Sequence, residues 1–126
     1  MGYEKFQARE LLDRYSRIAY LDGDVLVRPG APNIFDQVPF GHFGAMNECE
    51  FMGHWTADML QKQLMPYGWK GPWVWGQFNS GVMVFDETHK KVFENPVITN
   101  LPLWDQPWLN VIVRQLGVPF VGLHTR

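Results

Sequence analysis

The sequence predicts an α/β domain whose sheet is covered on both faces. Two neighbouring features lead to this prediction. Ala8, Leu11, Leu12 and Tyr15 recur at helical spacing, which indicates an amphipathic helix. This helix runs into residues 18–21, a short apolar stretch that ends at an aspartate. A strand without polar alternation is typical of a central, parallel strand, and a helix that leads into such a strand indicates the α/β class.

Size and composition narrow the possible function classes. The chain has 126 residues, of which 46% are hydrophobic and 19% charged, so we expect one globular domain rather than a disordered chain. A net charge of −2 provides no broad basic surface, and we therefore expect no nucleic-acid partner. No stretch of about 18 apolar residues occurs, so we expect no membrane span. Cys49 is the single cysteine, and the expected location is cytoplasmic.

The other expected elements follow from turn residues and apolar runs. Asp105 suits the N-cap of a helix that ends at Gly117, and its predicted core face is formed by Leu109, Ile112, Val113 and Leu116. An Asn-Ser-Gly sequence inside the strand at residues 78–85 indicates a β-bulge or the close approach of a ligand. The remaining predictions are strands at residues 42–46 and 119–123, a helix at 52–64 and a tryptophan-rich loop at 69–76.

The sequence Asp22-Gly23-Asp24, at the end of the first apolar run, is the strongest candidate for chemistry. Ligands of open α/β sheets bind beyond the carboxyl ends of the strands. Two carboxylates one residue apart can share a hard divalent cation, and Mg²⁺ or Mn²⁺ takes one or two carboxylates together with substrate phosphates. The alternative is a hairpin turn without a ligand, because Asp-Gly is a strong turn signal. The missing apolar–polar alternation in residues 18–21 favours metal binding.

Three ordered sequence blocks resemble those of the family 8 glycosyltransferases, which include glycogenin and bacterial galactosyltransferases. The blocks are Tyr20-Leu21-Asp22-Gly23-Asp24, Phe78-Asn79-Ser80-Gly81 and Asp105-Gln106 with Leu109-Asn110. The resemblance covers nearly the whole chain and implies a GT-A fold, with a mixed, mostly parallel sheet flanked by helices. It also implies that a sugar moves, with retained anomeric configuration, from a nucleotide diphosphate (UDP in particular) to a hydroxyl of a carbohydrate or other acceptor.

The resemblance also implies which residues hold the nucleotide-sugar donor. Asp22 and Asp24 take the place of the aspartate pair that binds Mn²⁺ or Mg²⁺ beside the nucleotide. In the family, a basic residue upstream of this strand touches the donor sugar and phosphates. Lys5 and Arg9 are both candidates for that residue.

The two later blocks imply contacts around the sugar. Asn79, Ser80 and Gly81 are expected to approach the donor or the acceptor, and Asp105 and Gln106 are expected to face the reacting centre as catalytic residues. An aspartate at a helix start also stabilises the helix by about 1 kcal/mol as a cap, so both roles stay open for Asp105. A double displacement needs a nucleophilic carboxylate, for which Asp105 is the candidate, whereas same-face attack by the acceptor needs none.

Two departures from the family pattern change the expected activity. The strands that clasp the base have no counterpart before the first helix, and the histidine that completes the family's metal site is not matched. We therefore expect residues 1–126 to form a single partial catalytic domain, truncated in its nucleotide-binding N-terminal half. The alternatives are a non-catalytic remnant that binds nucleotide sugars or carbohydrates, and a metal-independent glycoside hydrolase. An incomplete sheet exposes a strand edge, which predicts self-association.

Overall fold

A computed structural model describes residues 3–48, 62, 65–67, 69, 76–94 and 105–123. Within these residues, four strands form one sheet in the order β1-β3-β2-β4, flanked by helices. The strands are β1 (Arg17–Leu21), β2 (Phe43–Asn47), β3 (Phe78–Asp86) and β4 (Phe120–Gly122). The helices are α1 (Ala8–Leu11) and α2 (Asp105–Gln115), and 3₁₀ segments span Tyr3–Gln7, Ile34–Gln37, Met65–Tyr67 and Glu87–Phe93.

The sheet is mixed, as predicted, but it is not mostly parallel. β3 pairs antiparallel with both β1 and β2, and only the pairing of β2 with β4 is parallel among the described strands. The prediction of a mostly parallel sheet is therefore wrong for this part of the chain. The α/β class and the flanking helices are confirmed.

β1 lies at an edge of the described sheet and not at its centre. Its apolar sequence has another physical reason, because both of its faces are covered. Ile18 and Tyr20 pack against the larger core cluster, whereas Ala19 packs against a second cluster on the opposite face that contains Val38 and Val84. A covered edge strand and a central strand therefore have the same sequence signature.

Phenylalanine side chains form the centre of the larger core cluster. Phe43, Phe78, Phe85 and Phe93 are each at most 2% exposed. The rings of Phe85 and Phe93 lie 4.5 Å apart between centroids, and Phe43 contacts Phe78 at 5.4 Å. Full burial of one such side chain contributes about 2 kcal/mol, so this cluster is a main source of the stability that holds β2 and β3 in register.

Helix α2 ends as the sequence predicts. Gly117 has a φ of +65°, and its N–H donates to the carbonyl of Arg114 at 3.0 Å, which closes the last turn. Leu109 and Val113 are buried in the core. The prediction that Leu116 shares this core face is wrong, because its side chain lies on the exposed last turn and is 42% exposed.

The Asn-Ser-Gly sequence forms a bulge in β3, as predicted. Ala45 of β2 pairs with Met83, but the next residue, Met46, pairs with Asn79. Residues 80–82 therefore have no partner on β2, while the pairing with β1 continues through Leu21 and Val82. Without a partner on β2, the backbone N–H groups of Ser80 and Gly81 need other acceptors.

Asp86 fixes the opposite end of β3. Its carboxylate, in a residue only 1% exposed, accepts hydrogen bonds from the N–H groups of Gly41 at 2.5 Å and Thr88 at 2.9 Å. Burial by itself raises the pKa of Asp86, but the hydrogen bonds from Thr88 and Gly41 outweigh it and leave the pKa below its ordinary value. His89 completes the capping box, because its Nδ1 accepts from the N–H of Asp86 at 3.0 Å.

Several predictions fall on residues outside the described ranges. The helix at 52–64 and the tryptophan-rich loop at 69–76 lie almost wholly there, as does Cys49. In the part of the chain that the structure describes, no helix is both long enough and apolar enough to cross a membrane.

We predict that Gly44→Ala destabilises the sheet by about 2 kcal/mol through overpacking. A Cβ at this position would overlap Cγ2 of Val38 and lie 3.3 Å from its Cγ1, and the Val38 side chain is itself buried. Urea unfolding measures the change. Gly122→Ala is the matched control, since a Cβ there meets no atom within 4 Å. Equal stabilities of the two variants would contradict the prediction.

Candidate functional site

The ammonium group of Lys5 joins three separate parts of the fold. Lys5 lies in the 3₁₀ segment Tyr3–Gln7, and its Nζ is 2.7 Å from Asp105 Oδ2 and 3.3 Å from Asp22 Oδ1. It also donates to Ser80 Oγ at 2.9 Å. The N-terminal segment, the end of β1, the bulge of β3 and the start of α2 therefore meet at one cation.

Burial makes this ion pairing strong. The side chains of Lys5 and Asp105 are 7% and 9% exposed, whereas that of Asp22 is 37% exposed. A buried charge without a partner is costly, so the Lys5–Asp105 pair holds together two groups that water no longer solvates. Ser80 Oγ adds a hydrogen bond to Asp105 Oδ2 at 3.2 Å. Asp22 faces solvent and is the member of this group that a ligand can reach.

Tyr20 is a member of the site that the sequence analysis did not single out. Its hydroxyl donates to Asp22 Oδ1 at 3.0 Å, and its ring centroid lies 5.3 Å from Lys5 Nζ. Burial, followed by the hydrogen bond to Asp22, raises the pKa of Tyr20 to about 12. The period of two along a strand places residues 20 and 22 on one face, and this signal could have identified Tyr20.

Two side-chain amides satisfy the N–H groups of the bulge. Gln106 Oε1 accepts from the N–H of Ser80 at 3.0 Å, and Asn79 Oδ1 accepts from the N–H of Gly81 at 2.7 Å. Residues 79–81 and Gln106 therefore lie together. Their contacts also give these polar residues a structural role in the bulge.

Glu48 is the second site residue that the sequence analysis missed. It follows β2 directly, and its two carboxylate oxygens accept from Asn79 Nδ2 at 2.9 Å and Gln106 Nε2 at 3.2 Å. Glu48 does not belong to any of the three sequence blocks that indicated the site. The only sequence signal is its place just after a strand, at the same edge of the sheet as the bulge.

Gly81 allows the bulge to approach Asp22 closely. A Cβ at position 81 would lie 2.8 Å from Asn79 Oδ1 and 2.9 Å from Asp22 Oδ2. Such distances are shorter than ordinary contacts, so a larger residue would displace one of the two side chains. The backbone N–H of Asp22 donates to the carbonyl of Gly81 at 2.8 Å, which fixes this approach.

The structure does not bring Arg9 or Asp24 into the group around Lys5. Arg9 pairs with Asp13 at 2.9 Å and Glu94 at 3.2 Å, and so links α1 to the 3₁₀ segment Glu87–Phe93. Hydrogen bonds to Asp13 and Glu94 raise the pKa of Arg9. Asp24 is exposed in the turn after β1, two residues beyond Asp22.

The oxygen donors at this turn are of the chemical type that a divalent cation takes. The ion pair and the hydrogen bond described for Asp22 both use Oδ1, and its Oδ2 faces the bulge at Gly81. Asp24 adds a second, exposed carboxylate. Two carboxylates suffice for Mg²⁺ or Mn²⁺ where substrate phosphates supply further oxygens. No group of three or more His, Cys, Asp or Glu side chains within the described ranges is arranged to hold a metal ion by itself.

We predict that Lys5→Met lowers the free energy of unfolding by about 3 kcal/mol, because it leaves the buried Asp105 carboxylate without a counter-ion. Adding Asp105→Asn should restore about half of this loss, since an amide needs no counter-ion. Lys90→Met is the matched control: Lys90 pairs with Asp13 on the surface, where an ion pair contributes less than about 1 kcal/mol. Urea unfolding of the four proteins measures the effects, and equal losses for the two lysine variants would contradict the prediction.

Comparison with known proteins gives one distant similarity. The chain is 26% identical, over 138 aligned positions, to galactinol synthase 3 of Arabidopsis thaliana. The alignment covers 98% of this chain and 41% of the relative, so the chain spans about two-fifths of that protein's length. No protein-family model matches the chain. No solved structure matches it. The similarity supports a relationship to glycosyltransferases.

Proposed function

We propose that this chain forms part of a metal-dependent, retaining family 8 glycosyltransferase with a GT-A fold. The enzyme moves a sugar from a nucleotide diphosphate, UDP in particular, to an acceptor hydroxyl. The main support is the convergence on Lys5 Nζ of Asp22, Ser80 and Asp105, which belong to three sequence blocks far apart in the chain. The similarity to a galactinol synthase supports the same class.

The donor diphosphate would bind at the exposed end of β1. Asp22 and Asp24 are the residues that would hold Mn²⁺ or Mg²⁺, which when bound stabilises negative charge on the departing diphosphate as a Lewis acid. Lys5 supplies a fixed positive charge 3.3 Å from Asp22 Oδ1. A preorganised cation beside the leaving group lowers the barrier because it requires no rearrangement during the reaction.

The sugar would lie over the bulge and the start of α2. Asp105 is held there on one oxygen by Lys5 and Ser80, and its negative charge can stabilise the positive charge that develops at the anomeric carbon. Its side chain is only 9% exposed. This low exposure disfavours direct attack of the Asp105 carboxylate on the sugar. It favours same-face attack by the acceptor, in which Asp105 acts only through its charge.

Gln106 and Asn79 would support the sugar site rather than transfer protons. An amide neither gives nor takes a proton near neutral pH, but it can donate and accept hydrogen bonds. In this structure the two amides fix the backbone of Ser80 and Gly81. A rigid bulge keeps the polar groups at the start of α2 in place while a sugar binds.

We predict that the chain hydrolyses a UDP-hexose in the presence of Mn²⁺ and that a chelator abolishes this activity. Asp22→Asn and Asp24→Asn should each lower the rate about a hundredfold, because each removes a charged oxygen ligand of the cation. The matched control is Asp36→Asn, an exposed aspartate in the 3₁₀ segment Ile34–Gln37. Release of UDP measures the rate.

The same experiment separates the alternatives. Metal-dependent binding of UDP without turnover would indicate the non-catalytic remnant. Hydrolysis of a glycoside in the presence of the chelator would indicate the glycoside hydrolase. Either result would contradict the proposed transferase.

We also propose that the protein self-associates and that it is cytoplasmic. β1 is an edge of the sheet in the described residues, and an uncovered strand edge can pair with a second chain. We predict that the weight-average mass in sedimentation equilibrium rises with protein concentration. A monomer mass that stays constant across the concentration series would contradict self-association.

A further inference from the structure

We propose that Glu48 is a positioning residue of the site: its carboxylate sets the orientation of the Asn79 and Gln106 amides, and these hold the bulge of β3 in its working shape. The inference rests on the proposed function for its catalytic consequence. Its structural part rests on hydrogen bonds alone. Glu48 reaches neither Lys5 nor Asp105 in the contacts described, and it acts through its two amide partners.

The bulge creates the need for such a residue. Neither Ser80 nor Gly81 is paired with a residue of β2, and their N–H groups donate instead to the side-chain oxygens of Gln106 and Asn79. A side-chain amide has an oxygen end and an NH₂ end of nearly the same shape, so each amide could also turn its donor end to the bulge. Turned in that way, it would leave a backbone N–H unsatisfied.

Glu48 removes this ambiguity because an ionised carboxylate only accepts hydrogen bonds. Its two oxygens take one amide each, at 2.9 Å from Asn79 Nδ2 and 3.2 Å from Gln106 Nε2. Both NH₂ ends therefore face Glu48, and both oxygen ends face the bulge. The backbone fixes Glu48 itself, since its N–H donates to the carbonyl of Gln77 at 2.9 Å.

The orientation of the Gln106 amide affects the ion pair between Lys5 and Asp105. With its N–H held by Gln106, Ser80 presents Oγ 2.9 Å from Lys5 Nζ and 3.2 Å from Asp105 Oδ2. A turned amide would release Ser80 and weaken its two side-chain contacts. Glu48 thus influences the position of Lys5 and Asp105 indirectly. It holds the Gln106 amide, which in turn holds the backbone N–H of Ser80.

Glu48→Gln tests the structural part without any ligand. Glutamine keeps the length of the side chain but has one acceptor oxygen, so it cannot serve both amides. We expect amide hydrogen exchange at Ser80 or Gly81 to accelerate about tenfold, as protection reports the free energy of local opening. Exchange at Val84, in the middle of the sheet, should stay unchanged. Glu87→Gln is the matched control, because Glu87 is exposed at the other end of β3.

A double variant separates hydrogen-bond matching from loss of charge. Asn79→Asp alone places two carboxylates face to face and should also accelerate exchange at Gly81. Combined with Glu48→Gln, it restores the match, because the new amide can donate to the new carboxylate and still accept from Gln106. We expect exchange within about threefold of the original rate. Unchanged exchange in Glu48→Gln would overturn the proposal, as would a double variant no better than either single variant.

Kinetics test the catalytic consequence. With a panel of UDP-hexoses and Mn²⁺, Glu48→Gln should lower kcat about tenfold and change KM for the donor less than about threefold, as expected for a group that acts on the transition state. Unaltered kcat beside accelerated exchange would overturn the positioning role. If the unsubstituted chain shows no turnover, the proposed function is overturned instead. The hydrogen-exchange rates would still decide the orientation of the two amides.

Discussion

The buried cation of Lys5 is the interaction on which the candidate site depends. Its contacts with Asp22, Ser80 and Asp105 join segments that the sheet alone would not hold together. Without this charge, the buried carboxylate of Asp105 would have no counter-ion and would be repelled by the more exposed carboxylate of Asp22. In the proposed enzyme, the same charge would stabilise the departing diphosphate. Stability and proposed chemistry therefore use one ammonium group.

The bulge of β3 provides the second constraint. It takes the N–H groups of Ser80 and Gly81 out of the ladder, and the polar side chains nearby are arranged to satisfy them. Bulges often re-aim side chains beside functional sites. Here the bulge moves Ser80 Oγ to the charged group while the pairing of β3 with β1 continues. The site is thus built from an irregularity inside a strand that pairs with neighbours on both sides.

Sequence patterns predicted the elements better than their arrangement. The covered strand β1, the bulge and the stop of α2 at Gly117 follow from local chemistry, and the structure contains all three. Strand direction depends on contacts between distant residues, and a covered edge strand resembles a central one. The convergence of Asp22, Ser80 and Asp105 was expected from a resemblance. Glu48 was not, because a lone glutamate after a strand carries no local signal.

The long separation between the partners of Lys5 has a consequence for the whole chain. Lys5 and Ser80 are 75 positions apart, and no short fragment contains both. Contacts of such high sequence separation form late and cooperatively, because the intervening chain must first be ordered. The site accordingly exists only in the fully assembled molecule. Substitutions that unfold the phenylalanine core would therefore disrupt the site as completely as substitutions of its charged residues.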